Sequence, residues 1–231
     1  MSVFVITGTR KGIGYNLALS YLEQGHYICG CSRGKSEISH VNYRHFELDV
    51  SEEKSVVNMV RQVKREFKSI DVLINNAGIA SMNHFLTTPY STAKKIMNTN
   101  FFGSYLFMRE VGKVMVRQGE GRIVNYSTVA VEFNLEGEAI YASSKSAVES
   151  LTKIVSNEIA NSGVTVNAVA PTPVETDLIR TVPKNKITEL IDRQAIKRFG
   201  EFKDVKNVID FFISKNSSFI TGQVIYLGGV N

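Results

Sequence analysis

The sequence predicts an α/β protein: a single-domain, Rossmann-type doubly wound parallel sheet of about seven strands, with helices on both faces. Three observations predict it. Short β-branched runs alternate with longer stretches of helical period, the pattern of βαβ units. The first run passes directly into a glycine-rich turn and then a helix. The 231 residues are 43% apolar and 21% charged, enough for one sizeable core. No internal repeat, low-complexity tract or Pro/Gly-rich linker divides the chain, so residues 1–231 read as one domain.

The strand candidates, in order, are Val3–Thr7, Tyr27–Ser32, Tyr43–Leu48, Val72–Asn75, Arg122–Ser127, Thr165–Val169 and Val224–Leu227. Tyr15–Gln24 reads as the first helix. In Ser51–Phe67 the apolar residues Val56, Val60, Val63 and Phe67 share one helical face. Ser51 reads as that helix's N-cap, and Glu52 and Glu53 suit its positive end.

Composition excludes several classes. No apolar run approaches the ~18 residues of a membrane helix. The first residues carry no basic region or cleavage site, so no signal peptide is expected. Cys29 and Cys31 share a strand face too far apart for a relaxed disulfide, which argues for the cytoplasm. The net charge of +5 is scattered over 27 basic and 22 acidic residues, without the clusters that bind nucleic acid. His26, His40, His45 and His84 lack metal-ligand spacing, and no metal is expected.

The first strand ends in Thr7-Gly8-Thr9-Arg10-Lys11-Gly12-Ile13-Gly14. Glycines turn the chain sharply and bring bare backbone N–H groups close to a pyrophosphate. The following helix points its positive end at the same anion. Gly8, Thr9, Arg10, Lys11, Gly12, Ile13 and Gly14 are therefore candidate dinucleotide contacts.

This motif is followed in order by Asn75-Asn76-Ala77-Gly78, Asn100, Tyr141-x3-Lys145, and Pro171 with Thr176. Together they resemble the short-chain dehydrogenase/reductase family, from residue 3 to Gly228-Gly229. The resemblance implies a Rossmann-type sheet, a nicotinamide dinucleotide, and hydride transfer to or from a carbonyl or alcohol. Within the family, Arg198-Phe199-Gly200 and Ile220-Thr221-Gly222-Gln223 look like the 3-oxoacyl-[acyl-carrier-protein] reductases.

An acid at the end of the second strand would bind a free ribose hydroxyl and repel a 2′-phosphate. This chain has Ser32-Arg33 there, no carboxylate before Glu37, and a second cation at Lys11. NADP(H) is therefore favoured over NAD(H). By resemblance, Asp49, beside Val50, meets the adenine, and Asn76, Ala77 and Gly78 allow close backbone approach to the cofactor, while Asn75 braces the sheet. The resemblance also lays a loop over the nicotinamide, from Pro171, with the Val174 N–H and the Thr176 hydroxyl toward the carboxamide. Thr172 stands where the family has glycine, and Pro173 follows, so this loop should be stiff. A substrate lid is expected at about 178–198.

Tyr141 and Lys145 lie one turn apart on one helical face. A free tyrosine titrates near ~10. An ammonium ~5 Å away, at an effective dielectric of ~20, favours phenolate by about 3 kcal/mol. Such a tyrosine can give its proton to a developing alkoxide. By resemblance, Lys145 also holds the nicotinamide ribose, and Asn100 anchors a water leading from Lys145 to solvent, with Asn98 a nearby decoy. The family's serine stands thirteen residues before the tyrosine, which is Thr128 here, while Ser127 precedes it on the opposite face of the strand. Thr128 is the preferred candidate and Ser127 the alternative.

The expected function is NADPH-dependent oxidoreduction of a carbonyl or secondary alcohol, with 3-oxoacyl thioesters the leading substrate. The alternatives are a sugar, steroid-like or secondary-metabolite ketone, or a non-catalytic NADP-binding sensor or scaffold. Gly119 and Ser162 occupy the positions of the carrier-docking arginines, which argues against carrier docking unless Arg117 and Arg122 compensate. Phe101, Phe102, Tyr105 and Phe107 read as core and subunit-contact residues, and Leu151, Ile154, Val155 and Ile159 either join that contact or cover the sheet; by resemblance a homodimer or homotetramer is expected.

Overall fold

A computed structural model describes residues 1–174 and 184–230. Its strands are β1 (Val3–Thr7), β2 (Tyr27–Ser32), β3 (Tyr43–Glu47), β4 (Val72–Asn75), β5 (Gly121–Tyr126), β6 (Val164–Ala170) and β7 (Val224–Tyr226). All pair in parallel in the order β3-β2-β1-β4-β5-β6-β7. The helices that matter for the site are α1 (Gly12–Glu23), α2 (Glu53–Phe67), α3 (Tyr90–Met97), α4 (Gly103–Gln118), α5 (Ala130–Phe133), α6 (Ala139–Ile159), α7 (Lys184–Asp192) and α8 (Phe202–Ile213).

Alternation along each strand builds a core on each face of the sheet. Val3 and Val5 of β1 point to the face covered by α2, α4 and α6, where Val60, Phe107 and Val155 meet them. Phe4 and Ile6 point to the other face, covered by α1 and α8 through Leu17, Tyr21, Ile209 and Phe212. Cys29 and Cys31 are buried free thiols of the first face, and burial pushes both up to about 12. Among the described residues no helix is long and apolar enough to cross a membrane.

Several strand ends shift by one residue from expectation, β5 to Gly121–Tyr126 for example, and two helix starts are corrected. The first helix starts at Gly12, inside the glycine motif, rather than at Tyr15. Ser51 does not cap α2: Glu52 is the N-cap residue, and no side chain bonds the first turn. Asp49 takes the Ser51 hydroxyl and backbone N–H instead, at 2.7 and 2.9 Å, and closes a turn that competes with the cap.

The sheet order reverses direction between β1 and β4. In open α/β sheets that switch point opens a crevice at the carboxyl ends of the strands. The glycine turn after β1 and the Asn76-Ala77-Gly78 turn after β4 flank it.

Candidate active site

The glycine turn is fastened from behind. Gly8 and Thr9 donate their backbone N–H groups to the Cys31 carbonyl, at 2.8 and 3.2 Å. Asn76 donates its amide to the Thr7 carbonyl at 2.8 Å, and the Thr7 hydroxyl accepts from Ala77 N–H at 2.9 Å. A side chain on Gly8, at φ +79°, or on Gly14 would run into Asn76. Gly12, at φ +65°, has open space where its Cβ would be, and α1 begins there with no side-chain cap. The first N–H groups of α1 thus face an open cleft, the arrangement a pyrophosphate needs.

That cleft has a volume of about 440 Å³. It is lined by Gly8, Arg10, Lys11, Gly12 and Ile13 from the turn, by Ser32, Arg33, Asp49 and Val50 from the ends of β2 and β3, and by Asn76, Ala77 and Gly78. Gly14 and Thr9 do not line it: Gly14 packs against Asn76 and the Gly8 carbonyl, while Thr9 turns away. It is fully buried, and its hydroxyl bonds the Tyr43 hydroxyl at 2.8 Å, so it anchors the turn to β3 instead of facing the cleft. Gly30 makes room for that contact, since a Cβ there would collide with both hydroxyls. The Ser32 hydroxyl is spent on the Gly34 carbonyl at 2.6 Å, which leaves Lys11 and Arg33 as the expected cations beside the cleft. Asp49 keeps Oδ1 on Ser51 while lining the cleft.

A second cavity, of about 420 Å³, adjoins the first and shares Ile13, Asn76, Gly78 and Ala80 with it. Thr128, Tyr141 and Lys145 line it, with Pro171 and Val174 on one wall and Ile187, Glu189 and Leu190 of α7 on another. Thr128 stands beside Tyr141 on the cavity wall, and its hydroxyl accepts from Ala130 N–H at 3.2 Å. Lys145, buried, donates to the Tyr126 carbonyl at 2.9 Å. Val174 bridges to Gly200. Thr176 lies outside the described residues, as do residues 178–183 of the expected lid.

Burial outweighs the expected pull of Lys145 on the tyrosine. It pushes Tyr141 up to about 12, Glu138's charge adds to the rise, and the nearby Thr128 hydroxyl opposes it. Burial also pulls Lys145 down to about 8. A tyrosine so placed holds its proton at neutral pH, the form that can donate to a carbonyl oxygen.

The Thr128–Ser127 alternative divides by direction. Ser127 turns inward and donates to buried Glu149, which also accepts from the Tyr226 hydroxyl at 2.7 Å. Thr128 faces the cavity. The asparagine pair divides likewise. Asn98 is exposed, whereas Asn100 is fully buried in a π-helical turn, Asn98–Phe102, between α3 and α4. Its side chain takes the N–H and C=O of Ile79, both at 2.9 Å, and the Ser144 hydroxyl at 3.0 Å. Asn75 braces the sheet as expected, donating to Asn125 at 2.8 Å.

Sequence reasoning missed Glu138, Glu149 and Tyr226. Glu149 follows Lys145 by one helical turn, so continuing the Tyr141–Lys145 spacing would have found it; its partner Tyr226 lies 77 residues away and gave no signal.

A parallel sheet with this switch-point cleft and a tyrosine–lysine cavity beside it defines a dinucleotide-dependent oxidoreductase fold. A family model described as enoyl-(acyl carrier protein) reductase matches residues 8–231, and the chain belongs to the short-chain dehydrogenase/reductase family. The 3-oxoacyl-[acyl-carrier-protein] reductase FabG of Staphylococcus epidermidis is 31% identical over 97% of this chain and 96% of its own. Among solved structures, a gluconate 5-dehydrogenase from Burkholderia cenocepacia, in complex with NADP and tartrate, superposes with a TM-score of 0.92 at 27% identity. It covers 99% of this chain and 94% of its own. A 4-hydroxyisoleucine dehydrogenase complexed with NADH superposes at 0.90 and 25% identity, covering 100% and 99%.

Proposed function

We propose that this oxidoreductase interconverts a small-molecule carbonyl and a secondary alcohol with NADP(H), preferred over NAD(H). The observation that carries the reading is the junction of the two cavities: Thr128, Tyr141 and Lys145 line one, and the glycine turn lines the other. The residues present fit a dinucleotide. Gly12 leaves space that a Cβ would fill, and the uncapped start of α1 fits a pyrophosphate. Gly8, Arg10, Ile13 and Gly14 shape that cradle; Lys11 and Arg33 would meet the 2′-phosphate, and Asp49 and Val50 the adenine end. Asn76, Ala77 and Gly78 would back the dinucleotide, and Pro171, Val174 and Thr176 its nicotinamide end.

A bound nicotinamide dinucleotide supplies or accepts the hydride. Tyr141 gives its proton to the carbonyl oxygen, and the Thr128 hydroxyl fixes that oxygen within reach. Lys145 stabilises the phenolate left behind and would hold the nicotinamide ribose. Asn100 acts through others: by tying Ile79 to Ser144 it holds α6, and with it Lys145, against the turn after β4.

The FabG relative supports 3-oxoacyl thioesters as substrates. Carrier docking lacks its arginines at Gly119 and Ser162, and Arg122 spends a guanidinium nitrogen on the Gly121 carbonyl at 2.9 Å. The charged lining of the substrate cavity favours a second reading, a hydroxylated ketone. The test is NADPH oxidation with a short 3-oxoacyl thioester and with hydroxyketones, beside NADH and beside Tyr141→Phe. NADPH-preferring turnover that the variant loses supports the reading. Binding of neither cofactor overturns it.

A further inference from the structure

Of the three carboxylates lining the substrate cavity, two share one cation: Lys186 reaches Glu189 at 3.2 Å and Glu136 at 3.6 Å. The Arg193 guanidinium is also engaged, on the Phe133 carbonyl at 2.8 Å and over the Phe133 ring at 4.4 Å. Glu138 is different. Among the described residues its side chain has no ion pair or hydrogen bond, yet it is half-buried on the cavity wall. It is the N-cap residue of α6 and stands three positions before Tyr141, on the same helical face. Its charge reaches the Tyr141 hydroxyl, and burial raises its own pKa.

We propose, resting on the oxidoreductase reading, that Glu138 is a hydroxyl-recognising subsite, and that the substrate is an α-hydroxy ketone or the corresponding vicinal diol. The geometry sets the order of contacts. Thr128 and Tyr141 line the cavity together and would hold the reacting oxygen, so a carboxyl three residues before Tyr141 on the same wall would meet a neighbouring carbon. A hydroxyl on that carbon gives the carboxyl a partner that the described residues do not supply. A plain alkyl or acyl chain in its place would shut a polar group away from water without one. In the reaction the carbonyl carbon takes the hydride supplied by reduced cofactor, and its oxygen takes the Tyr141 proton. Glu138 exchanges hydrogen bonds only.

The test compares 3-hydroxybutan-2-one with butan-2-one as substrates of the NADPH-loaded enzyme. Alongside, calorimetry compares butane-2,3-diol with butan-2-ol binding to the NADP-loaded enzyme. Both are run on the wild type, Glu138→Gln and Glu138→Leu, with NADPH binding as the check that each variant is folded. The hydroxylated member is expected to win by about 10- to 100-fold, in kcat/KM and in affinity. The preference falls toward one in Glu138→Leu and is partly kept in Glu138→Gln, which retains a hydrogen-bonding head. A wild-type ratio near one, a ratio unchanged in Glu138→Leu, or no diol binding overturns the subsite. Turnover of butan-2-one or a 3-oxoacyl thioester that Tyr141→Phe abolishes would then leave the reductase reading standing. Conversely, diol binding that depends on Glu138 without turnover of any ketone would keep the subsite and sink the reductase reading.

Discussion

At the residue scale the cavity brings the half-buried hydroxyl of Thr128 beside the buried Tyr141 and Lys145, and the proposed reaction and the stability of the fold both turn on them. Thr128→Val keeps the shape and removes the hydroxyl beside Tyr141; turnover should fall by about 10²- to 10³-fold, while Thr128→Ser retains most of it, as steady-state kinetics will read. Lys145 carries a cost in stability. Its pKa near 8 in the folded chain lies below the ~10.4 of an unfolded lysine, so between those values the unfolded state binds more protons and stability rises with pH. Below pH 8 the full penalty applies. Lys145→Met should therefore stabilise the cofactor-free protein by about 1–3 kcal/mol at neutral pH, offset in part by loss of the Tyr126 carbonyl contact, and the gain should shrink toward pH ~10.4 in urea titrations. Helical period puts Tyr141 and Lys145 on one face, and the family resemblance, through its thirteen-residue spacing, prefers Thr128; the structure sets all three on one cavity wall. The raised tyrosine was not legible, because burial is a property of what packs around α6 and not of α6 itself.

At the element scale the site depends on a helix irregularity. The π-helical turn at Asn98–Phe102 turns Asn100 inward, onto Ile79 and Ser144. Asn100→Ala would leave the Ile79 N–H and C=O and the Ser144 hydroxyl without that partner. The expected loss is about 2–4 kcal/mol in denaturant unfolding, together with weakened activity in the folded fraction. The central strands were legible at this scale because both their faces are buried and their runs are almost continuously apolar, as in Val3–Ile6. Helix starts were not. Ser51 has the right chemistry for a cap, but Asp49, two residues earlier, takes its hydroxyl, and such a competition is settled by local backbone geometry. Glu149 shows the other limit: Ser127 and Tyr226 converge on it from β5's end and β7, elements far apart in the chain.

At the scale of the whole molecule, the glycine turn, the ends of β2 and β3, and the turn after β4 come together only because the sheet reverses order between β1 and β4. Binding a dinucleotide across that switch point ties both halves of the sheet to one ligand, so cofactor affinity should appear as global stability. NADPH at a hundred times its Kd adds about 2.7 kcal/mol to the folded state. For a chain of this size that is a rise of about 5–10 °C in Tm. NADH at the same concentration should add less, because Arg33 and Lys11 would lose the 2′-phosphate as a partner. Arg33→Asp supplies the discriminating case: the carboxylate would repel that phosphate and accept a bond from a free ribose hydroxyl, so the NADPH shift should shrink and the NADH shift grow. Thermal melts with each cofactor, on wild type and variant, read the outcome directly. Equal shifts for the two cofactors in the wild type, unchanged by the substitution, would remove Arg33 from the cofactor site and the NADP(H) preference with it.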